Sequence, residues 1–134
     1  MIRILSVVGT RPNIVKISSL YAEMQRRETI EPVLVHTGQH HDPNMSESFF
    51  EDFGLPEPDI TLGVAGGTQA YQTGEIMIRL EPVLLERQPD RVVVVGDVNS
   101  TLAAGLAAAK CGFPLAHVEA GLRSGDPTMP EEIN

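Results

Sequence analysis

The sequence predicts an α/β fold: a parallel, Rossmann-like sheet with helices on both faces and strand order 3-2-1-4-5. Three observations predict it. Short, β-branched apolar runs alternate with longer segments of helical periodicity. The strands read as continuous apolar runs rather than as alternations, which is the pattern of strands covered on both faces. Right-handed crossovers then restrict the order in which such strands pair.

The elements follow in turn. Ile4–Val8 is a buried strand that ends in a turn at Gly9. Pro12 sits where a first helical turn tolerates it. Ile14, Ile17, Leu20, Tyr21 and Met24 then recur at helical spacing to about Arg26. Pro32–His36 is a second strand. Met45–Phe53 is a short helix with Phe49, Phe50 and Phe53 near one face, stopped by Gly54. Ile60–Leu62 is a short third strand. Thr68 is placed to cap a long helix to about Glu86, with Ile76, Leu80, Val83 and Leu84 inward and a kink or break at Pro82. Arg91–Val95, with four consecutive valines, is the most buried strand. Ser100–Lys110 is an Ala-rich helix stopped by Gly112, and Pro114–Val118 is a further strand.

Composition narrows the function classes. A chain of 134 residues is one domain. With 10 basic against 18 acidic residues the formal charge is −8, which disfavours a nucleic-acid partner. A small anion remains compatible, because a helix start and one guanidinium act at close range. The single cysteine, Cys111, allows no internal disulfide and fits a cytoplasmic location. No apolar run reaches the roughly 18 residues of a membrane span, and the amino terminus does not read as a signal peptide.

In the predicted order the chain reverses direction between the first strand and Arg91–Val95. Ligands bind at such a reversal, outside the carboxyl ends of the strands. The loops there are Gly9-Thr10-Arg11-Pro12 and Gly96-Asp97-Val98-Asn99-Ser100-Thr101, joined by Glu119–Arg123 after the neighbouring strand. Free amides at a helix start together with Arg11 make an anion clamp; an ordinary turn with a surface arginine reads equally from the residues. The Gly-rich dinucleotide fingerprint and the P-loop are both absent, which argues against a bound nicotinamide and against ATP hydrolysis. Asp97 is read as an acid/base group because Asn99, Ser100 and Thr101 can all cap the following helix. Glu119 stands just past a buried strand, a functional position. His117 reads as a packed or ligand-neighbouring histidine. Arg123 pairs with a nearby carboxylate or meets a ligand. Pro130-Glu131-Glu132 is a helix start with acids that favour its dipole. His36, His40 and His41 surround Gly38-Gln39 without the partners of a zinc site, so they read as a polar ligand-contact loop or plain surface, and no metal is expected.

Gly-Thr-Arg-Pro (9–12), Thr-Gly-Gln-His (37–40), Gly-Asp-Val-Asn-Ser-Thr (96–101), His-Val-Glu-Ala-Gly-Leu-Arg-Ser (117–124) and Met-Pro-Glu-Glu-Ile-Asn (129–134) occur in this order over nearly the whole chain. The set resembles the non-hydrolysing UDP-N-acetylglucosamine 2-epimerases. The resemblance implies one half of a GT-B-like, two-domain architecture with the active site in the cleft. Residues 1–134 would be most of the amino-terminal Rossmann-like domain. The second domain, which grips uridine and supplies a catalytic histidine, would lie beyond the chain, leaving the fragment inactive alone. The resemblance also implies interconversion of UDP-GlcNAc and UDP-ManNAc by anti elimination of UDP and re-addition. Asp97, Glu119 and Glu131 match the family's acid/base set, one of them with a raised pKa. Gly9, Thr10, Arg11, Gln39, His40, Asn99 and Arg123 would contact the UDP-sugar. No cofactor is implied, and the family commonly forms homodimers. In some bacterial members an arginine near the position of Glu75 helps bind a second, regulatory UDP-sugar; the glutamate here departs from that pattern. A non-catalytic nucleotide-sugar-binding or dimerisation module, and a 2-epimerase of another UDP-sugar, are the alternatives.

Overall fold

The computed structural model describes residues 1–38, 51–119 and 125–134, with only the backbone described for Arg11, Glu131 and Glu132. Within these residues the order is β1 (Ile2–Val8), α1 (Arg11–Arg26), β2 (Ile30–His36), β3 (Ile60–Thr61), α2 (Gln69–Arg87), β4 (Arg91–Val95), α3 (Asn99–Lys110), β5 (Leu115–Val118) and α4 (Pro130–Ile133). All four strand pairings are parallel, and the sheet runs β3-β2-β1-β4-β5, the predicted order. β4 occupies the predicted residues, whereas β1 and β2 each begin two residues earlier than expected. The helix expected at Met45–Phe53 falls mostly outside the described residues.

Period-two side-chain alternation sends each strand's apolar residues to two separate cores. Leu5, Val7, Val33, Val35, Val92 and Val94 meet Ile76, Leu80 and Leu84 of α2 and the alanines of α3 on one face. Val8, Leu34, Val93 and Val95 meet Ile14, Ile17, Tyr21 and Met24 of α1 on the other. The four valines of β4 are therefore split two and two, which explains why that strand shows no polar alternation. The alanines of α3 let it approach the sheet closely; Ala103, Ala104 and Ala108 are fully buried. Burying each larger aliphatic side chain contributes roughly 1.5–3 kcal/mol.

The helices add two details. Leu20 is 37% exposed: the buried stripe of α1 is Ile14-Ile17-Tyr21-Met24, and Leu20 falls just off it. Pro82 does not end α2, which continues from Gln69 to Arg87. Pro82 and Ile78, whose carbonyl the proline leaves without an i+4 donor, both lie on the exposed face, where water can solvate that carbonyl. Thr68 caps α2 as predicted, its side chain accepting from the Tyr71 amide at 3.1 Å.

Candidate active site

The carboxyl edge of the sheet is assembled around the start of α1. Thr10 is its N-cap in an extended conformation, no side chain among the described residues caps the helix, and no acid lies in its first turn. The helix itself thus carries no acid that offsets the positive end of its dipole. Thr10 Oγ1 is buried without a hydrogen-bond partner among the described residues. The Gly9 amide donates to Asn13 Oδ1 at 3.1 Å, and Asn13 Nδ2 donates to the Val95 carbonyl at 3.1 Å. Asn13, only 2% exposed, therefore joins the loop after β1 to the end of β4. Glycine is required at position 9. A Cβ there would stand 2.0 Å from Ser100 Oγ and 2.7 Å from Thr37 Oγ1, two hydroxyls that share a buried hydrogen bond of 2.8 Å. One contact point thus unites the ends of β1 and β2 and the start of α3.

The next loop leaves β4 at Gly96, whose φ of 76° suits a glycine. Its amide donates to the Val118 carbonyl at 3.0 Å, and its carbonyl accepts from His117 Nε2 at 2.6 Å. His117 thereby fixes the loop that carries Asp97 and is a neighbour of the site. None of the side chains expected to cap α3 does so. Val98 occupies the N-cap position without a side-chain cap. Thr101 Oγ1 instead donates to the Val95 carbonyl at 2.8 Å, and Ser100 bonds Thr37. Asn99 donates to the side-chain oxygens of Gln69 and Gln72 on α2.

Glu119 follows β5 with a φ of 67°. The left-handed region costs a side-chain-bearing residue of order 1 kcal/mol or more, so the chain turns sharply here at the expense of stability. Its carboxylate pairs with Lys16 Nζ at 2.8 Å, both side chains being about one-third exposed. The ammonium also lies 3.6 Å from where a Gly96 Cβ would stand. α4 is brought to the same loop by Asn134, whose amide donates to the Asp97 carbonyl at 2.9 Å and to Asn99 Oδ1 at 3.2 Å. Pro130 opens α4, as its position predicts. Asp126, just before it, accepts from the Thr128 hydroxyl and amide. Those two bonds, the hydroxyl's first, hold its carboxyl below the usual range. Asp126 is thus engaged in its own turn.

Of the residues singled out in the sequence, Gly9, Thr10, Asp97, Asn99 and Glu119 and the backbones of Arg11 and Glu131 gather at this one edge. Gln39, His40 and Arg123 lie outside the described residues, as do the side chains of Arg11 and Glu131. Sequence reasoning missed Lys16 and Asn13. Lys16 is one of only two lysines in an acidic chain and lies in the helix entered from the first candidate loop, which was a usable signal. Asn13 gave none, because its partner is 82 residues away.

Within this chain, residues 22–134 match the family model for UDP-N-acetylglucosamine 2-epimerase. The chain belongs to this family. It is 49% identical over 132 residues to a UDP-2,3-diacetamido-2,3-dideoxy-D-glucuronate 2-epimerase of Pseudomonas aeruginosa, covering 98% of this chain and 37% of that protein. It is 47% identical over 128 residues to a UDP-N-acetylglucosamine 2-epimerase of Methanocaldococcus jannaschii, covering 96% of this chain and 35% of the relative. The crystal structure of the M. jannaschii UDP-GlcNAc 2-epimerase in complex with UDP-GlcNAc and UDP superposes with a TM-score of 0.92 at 45% identity, over 99% of this chain and 36% of that one. A Neisseria meningitidis UDP-GlcNAc 2-epimerase bound to UDP-GlcNAc gives a TM-score of 0.89 at 34% identity, over 99% of this chain and 37% of that one. The chain thus spans little more than a third of the length of these family members.

Proposed function

We propose that residues 1–134 form the first Rossmann-like half of a UDP-N-acetylglucosamine 2-epimerase, and that the active site lies between this half and a second nucleotide-binding domain. The observation that carries this reading is the junction of the Asp97 loop, Glu119 and α4 at one sheet edge, beside the open amino end of α1.

The chemistry needs such an edge. The hydrogen at C2 of the sugar is not acidic in the ground state. Breaking the C1–O bond sends the electron pair to UDP and leaves C1 oxocarbenium-like, which makes the C2 proton removable. A carboxylate takes that proton, giving 2-acetamidoglucal and UDP. The phosphate oxygen then re-adds to C1 while a second group delivers a proton to the opposite face of C2. Two faces require more than one acid/base group, and Asp97, Glu119 and Glu131 supply them. Arg11 and the uncapped start of α1 stabilise the departing diphosphate. In this reading Thr10, Gln39, His40 and Arg123 contact the UDP-sugar, and Gly9 lets the loop that carries Thr10 and Arg11 pack against Ser100 and Thr37. No hydride moves, so no nicotinamide is needed.

The setting follows from this chemistry. The protein works in the cytoplasm, where it supplies UDP-ManNAc to cell-surface polysaccharide synthesis. It acts as a homodimer. Tyr71, Ile78 and Leu85 recur every seven residues on the outer face of α2 and are 55%, 67% and 54% exposed, an apolar stripe suited to a second copy. Among the described residues, no helix is long and apolar enough to cross a membrane.

The test is turnover. The intact protein is expected to convert UDP-GlcNAc to UDP-ManNAc, and the purified 134-residue chain is expected to convert none. Epimerisation by the short chain would show that the second half of the cleft is dispensable; failure of the intact protein to yield UDP-ManNAc would overturn the reading.

A further inference from the structure

Four primary amides from three helices meet at the candidate site. Asn99, in the first turn of α3, donates to Gln69 and Gln72 in the first turns of α2, the latter at 3.0 Å. Its carbonyl oxygen accepts from Asn134 at the end of α4 at 3.2 Å, and Asn134 donates its other proton to the Asp97 carbonyl at 2.9 Å. A carboxamide has two donor protons, and both asparagines spend both of theirs within this cluster. The amides all point one way, from Asn134 through Asn99 to the glutamines, so each bond polarises the next. Asn99 thus has no proton left for a sugar or a phosphate. This is a different role from the ligand contact that the family resemblance implies.

We propose that Asn99 is a positioning residue: it is the hub of an amide relay that holds α4, and hence the Glu131 backbone, at a fixed place against the Asp97 loop, and ties both to the start of α2. The inference rests on the proposed epimerase reading for what Glu131 and Asp97 do, but the relay itself is a property of the chain. Its directionality makes it testable. The glutamines act only as acceptors toward Asn99, so Gln69→Glu and Gln72→Glu preserve the relay. Asn99→Asp has nearly the same shape but no donor, and it faces two glutamine oxygens with a carboxylate. Asn134→Asp likewise loses both bonds to the loop.

The experiment uses the intact protein with two readouts. Hydrogen exchange of the backbone at 129–134 is expected to quicken by about tenfold in Asn99→Asp and Asn134→Asp and to stay at the wild-type rate in Gln72→Glu. For UDP-GlcNAc turnover, Asn99→Asp is expected to lower kcat by about 10- to 100-fold, with KM within about twofold of wild type. Gln72→Glu is expected to leave both nearly unchanged. Unaltered exchange in Asn99→Asp would overturn the relay, and a rise in KM at constant kcat would return Asn99 to the role of a substrate ligand. If the wild-type protein produced no UDP-ManNAc, the epimerase reading would fail, and the exchange data alone would still decide the relay.

Discussion

The two edges of the sheet use polar residues differently. At the amino edge they tidy the chain. The Arg3 amide donates to the Asp90 carboxylate, and the Arg3 side chain pairs with Glu31 at 2.9 Å and donates to the Arg87 carbonyl. Glu23 pairs with Arg26 and Arg27 on the exposed side of α1, where those arginines are 79% and 63% exposed. Such pairs contribute little. At the carboxyl edge Asn13, Thr37 and Ser100 are buried. Asn13 binds the end of β4, Thr37 binds Ser100, and Glu119 holds a left-handed backbone while paired with Lys16. Each arrangement costs desolvation or strain that an apolar residue would avoid.

The comparison can be broken by substitution. The largest effect is expected at the carboxyl edge: Glu119→Gln in the intact protein should lower kcat for UDP-GlcNAc by about 10²- to 10⁴-fold, the range for losing an acid/base group. Steady-state turnover measures it, and a loss below tenfold would remove Glu119 from the chemistry. Gly9→Ala should destabilise the protein by about 2–3 kcal/mol in urea unfolding, because its methyl would displace the Thr37–Ser100 bond. Adding Ser100→Ala removes the atom 2.0 Å from that methyl and should restore part of the loss; no recovery would mean that the contact with Ser100 Oγ is not the cause. Lys16→Met should lower kcat by about tenfold while stability moves by less than about 1 kcal/mol, since the pair is partly exposed. The smallest effect belongs to the amino edge. Glu31→Ala should shift stability by under about 1 kcal/mol and leave turnover at the wild-type level. A large rate effect there would erase the distinction between the edges.

Much of this architecture was legible in the residues because periodicity is local. Four consecutive valines with no polar alternation can only be a strand covered on both faces, and β4 occupies those five residues. The switch point follows from strand order, and so do the loops carrying Thr10, Asp97 and Glu119. Element starts were less legible: Ile2 and Ile30 join the sheet by backbone pairing with each other, which side-chain pattern does not encode. Capping was misjudged at α3 for a related reason. Ser100 and Thr101 have the chemistry of caps, but partners from β2 and β4 claim their hydroxyls. The same holds for Asn99, whose partners come from α2 and α4. Asn13 and Lys16 escaped notice because their partners are remote in sequence, and only the folded sheet brings them together.

The account stands most directly on whether this edge handles a proton at C2. The intact protein, incubated with UDP-GlcNAc in D2O and followed by proton NMR, is expected to form UDP-ManNAc with deuterium at C2 and to lose the C2–H signal from the recovered UDP-GlcNAc as well. UDP-ManNAc that keeps its C2 hydrogen, or UDP-GlcNAc that neither exchanges nor converts, would contradict it.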